Sequence, residues 1–186
     1  MKRLLSVRKQ ADGFLKKYIL TYDLGNGQTY DWEMVSPREI TKAEDLVHGP
    51  NAVELIAHFP NGDLLMQREF RYPANRFCYS FPVGMIDPGE TTEEAARREL
   101  YEETGVHALT IDRILPPGLF AAGLTDELTQ VVHMTVDGEL LAHPEDTEEI
   151  IPVRLSREEV RALLREEALS ITHSALLVLD TWINGI

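Results

Sequence analysis

The sequence predicts a mixed fold of class α/β or α+β. Three observations predict it: short runs rich in β-branched and aromatic residues between Gly/Asn/Asp clusters, a central Ala/Glu/Arg helix, and a closing amphipathic helix. A chain of 186 residues, 44% of them hydrophobic, suffices for one substantial core, with room for a small appendage.

The elements follow in order. Tyr18–Tyr22 and Gln28–Trp32 flank Gly25-Asn26-Gly27, which predicts a hairpin within residues 14–35. Ser36-Pro37 breaks it, and the polar residues 38–50 form a connection. Ala52–Phe59 and Leu64–Phe70 make a second hairpin around Pro60-Asn61-Gly62-Asp63. Phe77–Val83 is a strand, as are Thr110–Leu115, Thr129–Val136 and Ile150–Leu155. Ser156 with Glu159 is a capping box for a helix running to about Glu167. Thr172–Ile183, with Leu176, Leu177, Leu179 and Trp182, gives the closing helix. No internal repeat or low-complexity segment interrupts the chain.

The central helix carries the chemistry. Pro88-Gly89 is a turn signal, Thr91 and Glu94 form a capping box, and Gly105 stands where a helix end needs a left-handed residue. Glu94–Arg98 and Arg98–Glu102 are i,i+4 pairs. Glu99, Glu102 and Glu103 are three and four residues apart, so their carboxylates share one face. Hard oxygen donors of this kind suit Mg²⁺ or Mn²⁺, which also bind substrate phosphates. A solvated amphipathic helix would explain the charges alone, but not the wider pattern below.

A net charge of −13 argues against nucleic acid and against an anionic membrane as partners, because both need clustered Lys and Arg. Cys78 is the only cysteine, which excludes a disulfide framework and reads as a small buried hydrophobe. The first ten residues lack the apolar run of a signal peptide, and no segment approaches a membrane span. A cytoplasmic protein is expected. No Walker A loop, His-Glu-x-x-His motif or Ser/His/Asp arrangement is present.

Gly84, Glu90, Arg98, Glu99, Leu100, Glu102, Glu103, Gly105 and Val106 together resemble the Nudix box. If each of its seven fixed identities matched by chance about one time in ten, the joint chance would be about one in ten million per window. The resemblance implies an α/β/α sandwich with a mixed sheet. It extends over roughly residues 14–183 and is similar to the ADP-ribose pyrophosphatase-like, or nucleoside diphosphate sugar, branch. Glu69-Phe70-Arg71-Tyr72-Pro73, Phe81-Pro82-Val83-Gly84 and Gly123-Leu124-Thr125-Asp126-Glu127 match its segments. Residues 1–45 then correspond to an N-terminal hairpin region used in dimerisation, and 46–186 to the Nudix domain. A homodimer is implied.

The resemblance also implies roles. Glu99 and Glu103 are metal ligands, with Glu102 and the Val83 carbonyl as further candidates. The general base comes from an acidic loop, here His143–Glu149, and alignment selects Glu148, with Glu127 as second choice. Trp32 and Phe14 match positions where aromatic rings surround the base, Glu33 could accept from an exocyclic amine, and Arg71 matches a phosphate-binding arginine. Two departures stand out: Ser80 replaces an acidic residue, and Ser36-Pro37 replaces a basic pair, with Arg38 one place later. The implied reaction is Mg²⁺- or Mn²⁺-dependent hydrolysis of a nucleoside diphosphate sugar, ADP-ribose giving AMP and ribose 5-phosphate. Alternatives are GDP-mannose, ADP-glucose, NADH or an oxidised nucleotide as substrate, or a non-catalytic ADP-ribose-binding module.

Overall fold

The computed structural model describes residues 2–142, 147–166 and 168–185. They fall into two compact units, one comprising residues 1–52 and 117–130, the other 53–116 and 131–186.

The first unit is built on a three-stranded antiparallel sheet of β1 (Arg3–Ala11), β2 (Lys16–Asp23) and β3 (Thr29–Ser36). The β2–β3 hairpin closes at Asp23↔Thr29, with Gly25 and Gly27 at φ 78° and 82°. An L side chain would be strained at either glycine. Strand β1 was not predicted: its basic and polar residues show no alternation, and a register shift between Leu4 and Ser6 lets Leu4 and Val7, three apart, both reach the small core of Tyr18, Leu20, Met34 and Ile40. Tyr18 is fully buried and spends its hydroxyl locally, donating to the Arg38 carbonyl at 3.0 Å and accepting from the Ile40 N–H at 3.1 Å. The connection 38–50 contains one 3₁₀ turn, Ala43–Asp45.

The second unit is an α/β/α sandwich. Its mixed sheet uses β4 (Ala52–His58), β5 (Leu64–Arg71), β6 (Arg76–Ser80), β7 (Val83–Met85), β8 (His107–Ile114), β10 (Leu128–Asp137) and β11 (Ile150–Leu155), in the order β11-β5-β4-β10-β8. β6 pairs with β5 and β7 with β4. The short β9 (Gly118–Leu119) pairs with the start of β10 in the first unit. The predicted strand Phe77–Val83 is thus two strands, because Pro82 has no N–H to continue the ladder.

Alternation along the strands sorts the two faces. Val53, Leu55, Ala57, Leu65, Val132, Met134 and Val136 pack against Ala95, Ala96 and Leu100 of helix α1 (Thr92–Thr104). Ile56, Leu64 and Met66 point the other way, onto α2 (Arg157–Leu163) and α3 (His173–Asn184) through Val160, Leu163, Ala175 and Leu179. Helix α2 ends at Leu163, earlier than expected, and its expected last residue, Glu167, lies outside the described residues. No helix among the described residues is long and apolar enough to cross a membrane.

Candidate active site

Helix α1 is fixed at both ends. Thr91 accepts from the Glu94 N–H while the Glu94 side chain reaches back to the Thr91 N–H at 2.8 Å. Gly105 ends the helix at φ 76°. The expected Glu94–Arg98 pair is absent because Glu94 serves the cap, and Glu90 takes its place. The Glu90 carboxylate receives Arg98 Nε at 2.9 Å and Nη2 at 2.8 Å, and also the Asp87 N–H at 3.0 Å. Arg98 further donates to the Met85 carbonyl at 2.9 Å, to Glu99 at 2.7 Å and to Glu102 at 3.1 Å. One guanidinium therefore positions three carboxylates and holds Glu90 below the usual carboxylate range.

Glu99 leans against Gly84. A Cβ at Gly84 would lie 1.9 Å from Glu99 Cδ, so the glycine, whose φ is not positive, leaves room for the end of the Glu99 side chain, which any larger residue would displace. Burial raises the Glu99 ionisation, opposed by Arg98. Glu103 is 5% exposed. Its Oε2 accepts from the Val83 N–H at 2.9 Å and its Oε1 from Gln67 Nε2 at 3.3 Å. Burial, reinforced by the charges of Glu99 and Glu69, pushes it up to about 8. Glu102 stands further out, its side chain 48% exposed.

Strand β5 brings the rest. Glu69 forms an ion pair with Arg71 at 2.8 Å, and Gln67 donates to Glu69 at 3.4 Å. Beyond the strand, the Tyr72 hydroxyl donates to the Thr147 carbonyl at 3.0 Å, and the Phe70 N–H donates to the Glu149 carbonyl at 3.0 Å. Burial raises the Glu69 ionisation, opposed by Arg71; Glu148, exposed and held between these two tethers, adds a smaller upward push to both Glu69 and Glu99. Residues His143, Pro144, Glu145 and Asp146 of the predicted acidic loop lie outside the described residues.

The second unit thus gathers Glu99, Glu102, Glu103, Val83, Arg71 and Glu148. Phe14, Trp32, Glu33 and Glu127 belong to the first. There Trp32 lies 6.1 Å from the Tyr30 ring, and both line an apolar cavity of about 360 Å³ with Leu20, Tyr22, Met34 and Leu124. Phe14 is 84% exposed, and Glu33 pairs with Lys17 at 2.9 Å. Glu127 is raised by burial. Arg38, the displaced basic residue, is paired with buried Asp126. Ser36 and Ser80 are both buried. Cys78 is half-buried, more open than a core thiol.

The donor chemistry fits a hard cation: clustered carboxylates, a glycine whose missing Cβ makes room for one of them, and a buried Glu103 that, among the described residues, is supported by the neutral donors Gln67 and the Val83 N–H. As they stand, no three His, Cys, Asp or Glu side chains among the described residues converge on one point, because Arg98 draws Glu99 and Glu102 to itself. Gln67, Tyr72 and Tyr30 were missed from sequence. Only the hydrophobic-strand position of Gln67, a polar residue where an apolar one is expected, could have signalled it.

An α/β/α sandwich with this glutamate helix is the framework of a diphosphate-cleaving hydrolase. The family model described as the NUDIX domain matches residues 47–175, most of the chain, and the chain belongs to the Nudix family of pyrophosphohydrolases. It is 31% identical over 161 residues to the ADP-ribose pyrophosphatase of Bacillus subtilis (strain 168), covering 84% of this chain and 75% of that one. It is 32% identical over 120 residues to the ADP-sugar pyrophosphatase of Mus musculus, covering 64% of this chain but only 54% of the mouse protein. A solved structure described as an ADP compounds hydrolase superposes with a TM-score of 0.75 at 23% identity, over 99% of this chain and 95% of that one, a likeness of fold. Nudix hydrolases generally use divalent metals.

Proposed function

We propose that this Nudix protein hydrolyses the pyrophosphate bond of a nucleoside diphosphate sugar, with ADP-ribose giving AMP and ribose 5-phosphate, in the presence of Mg²⁺ or Mn²⁺. The observation that carries the reading is the convergence of the glutamate helix, the Glu69–Arg71 pair and the tethered Glu148 in one unit. The relatives named ADP-ribose and ADP-sugar pyrophosphatases support the substrate class. A bound divalent cation would neutralise phosphoryl charge and lower the pKa of an attacking water. Glu99 and Glu103, with Glu102 and the Val83 carbonyl, would hold it. Arg71 grips a phosphoryl oxygen with its fork of donors. Glu148 takes the proton from water, with Glu127 as the second candidate. Trp32 and Phe14 stack on the base, and Glu33 accepts from its amine. The exposed apolar side chains of residues 1–45, Phe14, Leu15, Tyr30 and Trp32, support their use in a homodimer.

The test is turnover with Mg²⁺ across ADP-ribose, ADP-glucose, GDP-mannose, NADH and 8-oxo-dGTP, quantifying mononucleotide. Fastest release from ADP-ribose is expected. No turnover of any compound, with tight ADP-ribose binding, would overturn catalysis.

A further inference from the structure

Gln67 is fully buried in β5, on the strand face that meets helix α1, and it carries no charge to justify its place among carboxylates. One amide nitrogen serves two of them. It donates to Glu103 Oε1 at 3.3 Å and to Glu69 Oε2 at 3.4 Å. Glu69 Oε2 is the same atom that pairs with Arg71 at 2.8 Å. A continuous line therefore runs from the helix glutamate through Gln67 to the arginine, linking the two elements that form the site.

The other end of the amide is unsatisfied. Among the described residues, Gln67 Oε1 is buried without a hydrogen-bond partner, and so is the hydroxyl of Ser80, its register partner on β6. A buried polar atom left unpaired offsets what the donated bonds contribute, so Gln67 adds little net stability. An apolar side chain of equal length would fill this interior position without that penalty. Its presence here is explained by what it positions.

We propose that Gln67 is a positioning residue that fixes the Glu103 carboxylate and the Glu69–Arg71 pair in one arrangement, so that cation binding and phosphate grip depend on the same amide. The proposal rests on the hydrolase reading above and deepens it. Residues that orient metal ligands through a hydrogen bond typically account for about 10- to 100-fold in metal affinity or activity.

The experiment uses the full chain, Gln67→Met, and Gln67→Leu as a second apolar variant. Mn²⁺ affinity is measured by electron paramagnetic resonance without substrate, thermal melts are recorded in chelator, and kcat and KM are determined separately. Expected are a loss of Mn²⁺ affinity of about tenfold or more, a raised KM, and a metal-free Tm within about 4 °C of wild type. Glu69→Gln should raise KM with little effect on Mn²⁺ affinity, and combining it with Gln67→Met should raise KM less than the two effects multiplied. Mn²⁺ affinity within twofold of wild type in both variants would overturn the proposal. So would loss of affinity only in step with a collapse of Tm, which marks a merely structural role. Failure of the wild-type protein to bind Mn²⁺ or to turn over any substrate would instead overturn the hydrolase reading.

Discussion

At the scale of single residues, the site separates carboxylates by environment. Glu148 is exposed and held by the backbone on both sides, which suits a group that must meet water. Glu148→Gln keeps the shape and removes the basic oxygen, so kcat should fall about 100-fold or more while Mn²⁺ affinity stays near wild type. Steady-state kinetics beside a metal titration checks this, and a near-normal rate would return the role to Glu127. Glu103 has the opposite surroundings. Its carboxyl ionises at about 8 when folded against 4.5 in the ordinary state, chiefly through burial. Between those values the folded chain binds the extra proton. The stabilisation is therefore complete below pH 4.5 and is lost as pH rises through about 8. Metal-free melts at pH 5 and pH 8 should show this decline, and Glu103→Gln should flatten it.

At the scale of elements, Gly84 shows how tightly β7 and α1 are matched. Gly84→Ala would place Cβ 1.9 Å from Glu99 Cδ, so either the carboxylate or the strand must move. Mn²⁺ affinity should drop by at least tenfold in that variant, while circular dichroism retains the helical signal. Helix α1 was legible from sequence because its caps, spacing and terminal glycine all agree locally. The partners of its charges were not, since Glu94 can satisfy either the cap or Arg98, and only the folded loop supplies Glu90. Strand β1 escaped notice for a related reason: seven of its nine residues are exposed, so pairing with β2 and not an apolar pattern defines it. The strand position of Gln67 marks it as unusual, but its partners were not legible, because the two acceptors come from Glu69 on its own strand and Glu103 on a distant helix.

At the scale of the whole molecule, residues 1–45 leave large apolar side chains at the surface. Under the homodimer proposed above, a second copy covers them. Sedimentation equilibrium should return twice the 21.1 kDa chain mass, and a monomer at micromolar concentration would refute the dimer. Chelation should abolish turnover, and added Mg²⁺ should restore it.

Strand β5 is at once part of the hydrophobic core and part of the chemistry. Its first half, Leu64–Gln67, is buried, while Arg68–Arg71 is half-buried, and alternate residues face opposite helical layers. Inserting one residue just before Gln67 would exchange those faces for everything that follows. Gln67, Glu69 and Arg71 would turn toward α2 and α3, while every letter of the glutamate motif stayed in place. A protein so altered would still be recognisable by its signature but would have turned away the arginine proposed to hold phosphate, which makes the phase of this strand as diagnostic of a working member as the motif itself.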